Sequence, residues 1–301
     1  MDDDAWIVQA NGVELCVETF GDRGDPAILL VAGAASSMDW WESGFCRRLA
    51  GGGRYVVRYD HRDTGRSTNY ESGSPPYGFD DLVADAVGLL DSLEVELAHV
   101  VGISMGGAIA QRLAVDHGHR VASLTLISTS PALRPNAPPN LDLPLMSAEL
   151  LAHFIDPAPS PAPDPDWTNR AMVVDSIVAS QHTMAGSCGF DDARLRQLAA
   201  RVVGRTTDIA ASLTNHWLID AGASYRSRLG QITAPTLVIH GTEDPLFPYG
   251  HAEALAREIP GTRLLPLDGV GHQMPPPQTW ELVIPALLRH SGEGGNAERA
   301  Q

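Results

Sequence analysis

The sequence predicts an α/β protein, with a mostly parallel central sheet, helices on both faces, and a helical cap inserted between two strands. Three observations carry this expectation. Short apolar runs alternate with helix-spaced segments through residues 27–127 and again through 235–289, at a spacing that suits right-handed βαβ crossovers. A tight turn, Gly102-Ile103-Ser104-Met105-Gly106, lies between an apolar run and a helical pattern. Between the two alternating stretches the rhythm stops. Residues 131–165 hold ten prolines, and residues 166–222 are helix-patterned with no strand-like run between the segments.

The elements follow in order. Residues 5–20 read as two strands around Asn11-Gly12, a pair that favours a hairpin turn. Ala27 to Val31 is a continuous apolar run, as a strand buried on both faces requires. A helix around 41–50 and the strand Tyr55–Tyr59 come next, then a polar loop from Asp60 to Pro76. Leu82, Val83, Ala86, Leu89, Leu90 and Leu93 mark an amphipathic helix. The strand near Ala98–Ile103, a helix to about His117 and the strand Val121–Ile127 complete the first half. Cap helices are expected near 166–184, 191–203 and 206–221. The strand pattern resumes at Thr236–His240, with a helix to Ile259, a strand over Arg263–Leu267 and a last helix near 278–289. The domain reading is therefore a core of 1–130 and 231–290, a cap of 131–230 with a Pro-rich lead-in, and a polar, disordered tail from 291 to 301.

Composition narrows the function. The formal net charge is −16, which argues against a nucleic-acid surface and for a neutral or hydrophobic small-molecule substrate. The three cysteines, Cys16, Cys46 and Cys188, are widely spaced, which suggests neither a disulfide framework nor a zinc site. Residues 1–12 carry Asp2, Asp3 and Asp4 and no basic segment, and no 18-residue apolar run occurs. The expectation is a cytoplasmic protein with no membrane partner, no metal and no cofactor; a homo-oligomer is compatible with the sequence.

The turn at Ser104 carries the chemistry. A strand, one serine at a sharp corner and then a helix is how an α/β-hydrolase presents its nucleophile. The corner strains the serine backbone, and side chains two residues either side would collide with the neighbouring strand and helix. A serine hydroxyl is a weak nucleophile, so it needs a base in reach and an acid to orient that base. In this fold the chain order is Ser, acid, His. After the strand Leu237–His240 come Glu243 and Asp244; Asp244 is the expected acid and Glu243 its competitor. After Arg263–Leu267 comes a glycine-flanked loop holding His272, the expected base among eleven histidines. His240 reads as a packed histidine near the same edge. The oxyanion hole needs two backbone donors, assigned to the N–H groups of Met105 and Ala34. Small residues from Ala32 to Ser37 let that loop approach a substrate closely.

Arg58-Tyr59-Asp60-His61-Arg62-Asp63-Thr64-Gly65-Arg66-Ser67-Thr68, Pro76-Tyr77-Gly78-Phe79, Ala98-His99-Val100-Val101-Gly102 and the serine turn together resemble the aclacinomycin methylesterase group of α/β-hydrolases. The resemblance covers roughly residues 5–130 and 232–290. It implies cofactor-free hydrolysis of a methyl ester on an aromatic polyketide, with Ser104, Asp244 and His272 as triad and Ala34 and Met105 as oxyanion donors. Many relatives carry His-Gly where this chain has Ala32-Gly33, so the anchoring of that loop departs from the pattern. The Asp60–Thr68 run reads as a rigid charged loop bracing the sheet edge. Trp167, Met172, Met184 and Trp217 of the cap, with Gly33, Trp40 and Trp41 beside the oxyanion loop, are candidates to line a pocket for a flat apolar ligand; the alternative is plain core. The expected function is a serine carboxylic-ester hydrolase. Its rivals are perhydrolysis, lactone hydrolysis or C–C hydrolysis on the same triad, and a non-catalytic ligand-binding protein on the same scaffold.

Overall fold

Asn11 and Gly12 close the first hairpin with positive φ of 47° and 76°, the conformation that matches the twist of paired strands. They join β1 (Trp6–Ala10) to β2 (Val13–Phe20), with Ala10 opposite Val13. This computed structural model describes residues 4–133, 140–154 and 165–293. The remaining strands are β3 (Ala27–Val31), β4 (Tyr55–Tyr59), β5 (Ala98–Ile103), β6 (Val121–Ile127), β7 (Thr236–Gly241) and β8 (Arg263–Leu267). They form one eight-stranded sheet in the order β1-β2-β4-β3-β5-β6-β7-β8. β2 is antiparallel to β1 and β4, and every pairing from β4 to β8 is parallel.

The apolar runs follow from this position. All five residues of β3 and all six of β5 are buried, because both faces of the sheet are covered. Side chains alternate between the faces. Leu29 and Val31 join α2 (Phe79–Ser92), α3 (Met105–Asp116) and α8 (Gly250–Glu258) in one core. Ile28 and Leu30 join α1 (Ser43–Ala50) and α9 (Trp280–Glu293) in the other. The last helix runs past the expected end: Ser291 is buried, accepts from Arg54 Nε at 2.8 Å, and belongs to α9 rather than to a tail. The tail beyond Glu293 lies outside the described residues, as do 134–139 and 155–164 of the Pro-rich lead-in.

The cap leaves the sheet after β6 and returns at β7. It contains α4 (Ala148–Phe154), α5 (Arg170–Thr183), α6 (Asp192–Arg205) and α7 (Ile209–Thr214). Asn169, Asp191 and Asp208 cap the last three by accepting backbone N–H groups at 3.3, 3.1 and 3.0 Å. Val173, Val174, Ile177 and Val178 of α5 pack on Leu195, Leu198, Val202 and Val203 of α6.

The Asp60–Thr68 loop does more than brace an edge, because it joins core to cap. Arg205, at the end of α6, donates to both carboxylate oxygens of Asp60 at 2.7 and 2.6 Å and to Asp39 at 2.6 Å. Asp60 also accepts the Met38 and Arg66 N–H groups at 2.8 and 3.0 Å. Asp63 accepts from the Tyr77 hydroxyl and from Asn215 Nδ2 at 2.6 and 2.9 Å. All of these carboxylates are buried. Removing one partner of a buried ion pair leaves an uncompensated charge, which costs about 3–5 kcal/mol. Arg205→Ala is therefore expected to lose stability in that range by urea unfolding. A loss under about 1 kcal/mol would contradict a cap held by this network.

Candidate active site

The site lies at the carboxyl ends of the parallel strands, where loops after β3, β5, β7 and β8 converge. Ser104 follows β5 with φ 53° and ψ −120°, a strained corner for a residue with a side chain. Each neighbouring glycine answers to a close approach. A Cβ on Gly102 would overlap the Gly106 carbonyl, and one on Gly106 would overlap the Val31 and Ala32 carbonyls. One on Gly107 would lie 2.7 Å from the Thr129 side chain. The corner is held by Ser104 N–H donating to Ile127 C=O at 3.0 Å and by the Thr129 hydroxyl donating to Ser104 C=O at 2.8 Å. α3 starts at Met105, whose N–H has no acceptor within the helix and stands at its positive end.

Ser104 Oγ lies 3.0 Å from His272 Nε2, and His272 Nδ1 lies 2.8 Å from Asp244 Oδ2. The other Asp244 oxygen accepts the Leu246 and Phe247 N–H groups at 2.9 and 2.7 Å. Burial pushes the Asp244 carboxyl up. The adjacent His272, its hydrogen bond, His240 and the Phe247 N–H together pull it the other way and leave it below the ordinary carboxylate value. Asp244 thus stays ionised, and the His272 ring carries its proton on Nδ1, with Nε2 turned to the serine. Phe247 meets the His272 ring edge to face at 5.3 Å.

The structure separates the two candidate acids. Glu243 is exposed and accepts the Ser187 N–H and hydroxyl at 2.6 and 2.9 Å, so it pins the cap rather than facing His272. His240 is fully buried and donates from Nε2 to Phe247 C=O at 2.7 Å, with Asp244 Oδ2 3.5 Å away. It supports the acid turn and does not reach the serine. The cap also touches the His272 loop directly: His272 N–H donates to Met184 C=O at 2.8 Å, and Cys188 N–H donates to Gly269 C=O at 2.7 Å.

Gly33 brings the loop after β3 close to the serine. A Cβ there would stand 3.4 Å from Ser104 Cβ, so Gly33-Ala34 runs directly beside the serine. The aromatic candidates scatter. Trp41 is 1% exposed and lies in the core with Phe45 and Leu49. Trp40 and Trp167 pack in the α5–α6 cluster, whereas Met172 and Trp217 are 47% and 57% exposed. His216, whose Nδ1 accepts the Ala35 N–H at 3.0 Å, carries no signal in the sequence. It lies in a helical turn of the cap, with no glycine flank or strand end to mark it.

This corner, with its aligned serine, histidine and carboxylate, defines an α/β-hydrolase. A family model for the serine aminopeptidase S33 hydrolases matches residues 23–275. The chain belongs to that family. It is 32% identical over 277 residues to the rhodomycin D methylesterase DauP of Streptomyces sp. (strain C5), covering 89% of this chain and 92% of the relative. The rhodomycin D methylesterase DnrP of Streptomyces peucetius is equally similar, 32% over 277 residues with the same coverage. Among solved structures, the enol-lactonase from Burkholderia xenovorans LB400 has the same fold, with a TM-score of 0.70, 22% identity and coverage of 95% of this chain and 99% of that one.

Buried histidines give the fold a defined acid response. Burial lowers His216 to about 3 and His99 to about 4, His216 further through nearby His61, His99 through Arg54 and His290; His240 is lowered by burial. All three are lowered from the ordinary 6.5, so the unfolded chain binds protons first as pH falls. Stability is whole above about pH 6.5 and declines below it, at roughly 1.4 kcal/mol per pH unit for each histidine. The decline from His99 ends near about pH 4 and that from His216 near about pH 3. Urea unfolding between about pH 7.5 and 4.5 measures it, and a flat profile would contradict neutral histidines in the fold.

Proposed function

We propose that Ser104, His272 and Asp244 form the catalytic triad of a serine carboxylic-ester hydrolase. The carrying observation is the unbroken contact chain from Ser104 Oγ through His272 to Asp244, at 3.0 and 2.8 Å, on a strained strand–helix corner. His272 Nε2 takes the Ser104 proton as Oγ attacks the ester carbonyl, and the Met105 and Ala34 N–H groups receive the oxyanion. His272 returns the proton to the departing alcohol. Water then attacks the acyl-enzyme, with His272 again as base, and the acid product leaves. Asp244 stays ionised throughout and holds the imidazolium that forms.

The substrate reading is a methyl ester, or a similar small ester, of a hydrophobic aromatic polyketide, within antibiotic tailoring. It is supported by the names of the two methylesterase relatives and by the chain's net charge of −16, which disfavours polyanionic substrates. Gly33 beside the serine, and the cap above it, supply the surfaces that would meet such a ligand. No described helix is long and apolar enough to cross a membrane, and a cytoplasmic setting suits cysteines that form no disulfide.

Ser104→Ala is expected to cut turnover of p-nitrophenyl acetate and of an aromatic methyl ester by at least about 1,000-fold. Circular dichroism and the unfolding midpoint should stay near those of the parent chain. Undiminished turnover in a folded variant would remove Ser104 from the reaction.

A further inference from the structure

The Gly33–Ala34 peptide carries one of the two oxyanion donors, and its neighbours on both sides are tied down. On the near side, Ala32 C=O accepts from His61 Nε2 at 3.1 Å. On the far side, the Ala34–Ala35 peptide is held at both ends. Ser36 Oγ donates to Ala34 C=O at 3.1 Å, and Ala35 N–H donates to His216 Nδ1 at 3.0 Å. Ala35 has φ 55°, a conformation an alanine keeps only where its surroundings impose it. His216 comes from the cap, 181 positions along the chain from Ala35. Its Nε2 faces Arg62 C=O at 2.9 Å. A carbonyl can only accept, so Nε2 carries the proton and Nδ1 offers its lone pair to Ala35. His216 is 5% exposed, and the next residue back, Asn215, bonds Asp63, Glu71 and Gly73. The ring is thereby fixed on the Asp60–Thr68 loop.

We propose that His216 is a positioning residue of the cap: its Nδ1 holds the Ala34–Ala35 peptide and so sets the Ala34 N–H toward the oxyanion. The proposal rests on the serine ester hydrolase reading. It supplies the anchor for a loop that lacks the His-Gly pair. It also makes the cap part of the catalytic machinery, since the donor is aimed only while the cap is docked. Burial keeps His216 neutral, and so an acceptor, through the range where esters are assayed.

His216→Phe keeps the ring and removes the acceptor; His216→Asn sets its Oδ1 near the place of Nδ1 and keeps one. In His216→Phe, kcat on p-nitrophenyl acetate is expected to fall roughly 10- to 100-fold with KM little changed, as a misplaced catalytic group produces. Affinity for phenylboronic acid, whose serine adduct carries a tetrahedral oxyanion, is expected to fall by a similar factor. His216→Asn is expected to recover most of both. Parental kcat in His216→Phe, a rise in KM alone, or equal losses in the two variants would overturn the role. Should His216→Phe fail to fold, long-range proton–nitrogen NMR of the parent chain decides: Nδ1 unprotonated and Nε2 protonated supports the bond, and the opposite tautomer or a cation at neutral pH overturns it. Ser104→Ala, which leaves the Ala35 bond untouched, separates the two readings. Full turnover in that variant would overturn the serine mechanism and the His216 role together, whereas an inactive Ser104→Ala beside a fully active His216→Phe would overturn His216 alone.

Discussion

The left-handed backbone of Ser104 is the constraint on which the site depends. A residue at φ 53° between a central strand and a helix can exist only if backbone passes backbone at glycine distance on each side. Gly102 lets α3 return over β5, and Gly106 lets α3 lie against the end of β3. The strain costs on the order of 1–3 kcal/mol. It is offset by the burial of β3 and β5 on both faces of the sheet, since apolar surface removed from water contributes about 25 cal/mol per Å². The same packing brings the β3 loop beside the serine. Ser104, the start of α3 and the Gly33–Ala34 loop are therefore brought together by one close approach.

The second organising feature is the seam between cap and core. Trp40 gives it an apolar contact with the aliphatic α5–α6 cluster, and polar groups supply its hydrogen bonds. Arg205 spans Asp39 and Asp60, Asn215 reaches Asp63, His216 reaches Arg62 and Ala35, and Ser187 reaches Glu243. Buried polar partners of this kind specify one docking geometry, because any slip leaves a charge or donor unsatisfied. An apolar seam would tolerate sliding. For a cap that touches the loops of both His272 and Ala34, fixed docking matters more than net affinity.

These two features differ in how far they are legible in the sequence. The elbow is written locally: the glycines stand within three residues of Ser104, and the flanking periodicities switch from strand to helix. Asp244 and His272 are legible because each follows a strand in fixed chain order. The choice of Asp244 over Glu243 rested on position, and the structure separates them by burial: one faces His272, the other faces Ser187. The seam is not legible. Arg205 and His216 lie 145 and 154 positions from their partners Asp60 and Arg62, and nothing local distinguishes them from other arginines and histidines. The aromatic residues are ambiguous in the sequence for a different reason. Trp40 and Trp41 are adjacent to the oxyanion loop in sequence, yet the helical turn that carries them sends one to the cap cluster and the other into the core.

A division of labour follows from this contrast. Ser104, His272 and Asp244, the proposed triad, each follow a strand of the sheet, although the cap also bonds to the His272 loop through Met184. The loop after β3 is different, because Ala35 is left-handed without being glycine and its N–H looks across the seam for an acceptor. The loop after β3, which has Ala32-Gly33 in place of His-Gly, is held by two other histidines, the buried His61 of the charged loop and His216 of the cap. In the proposed reading, substrate choice and oxyanion geometry share one structural element, the cap. Under the proposed mechanism, a change in the cap that admits a different acyl group also reaches the Ala34 N–H, which would couple specificity to rate through the Ala34–Ala35 peptide.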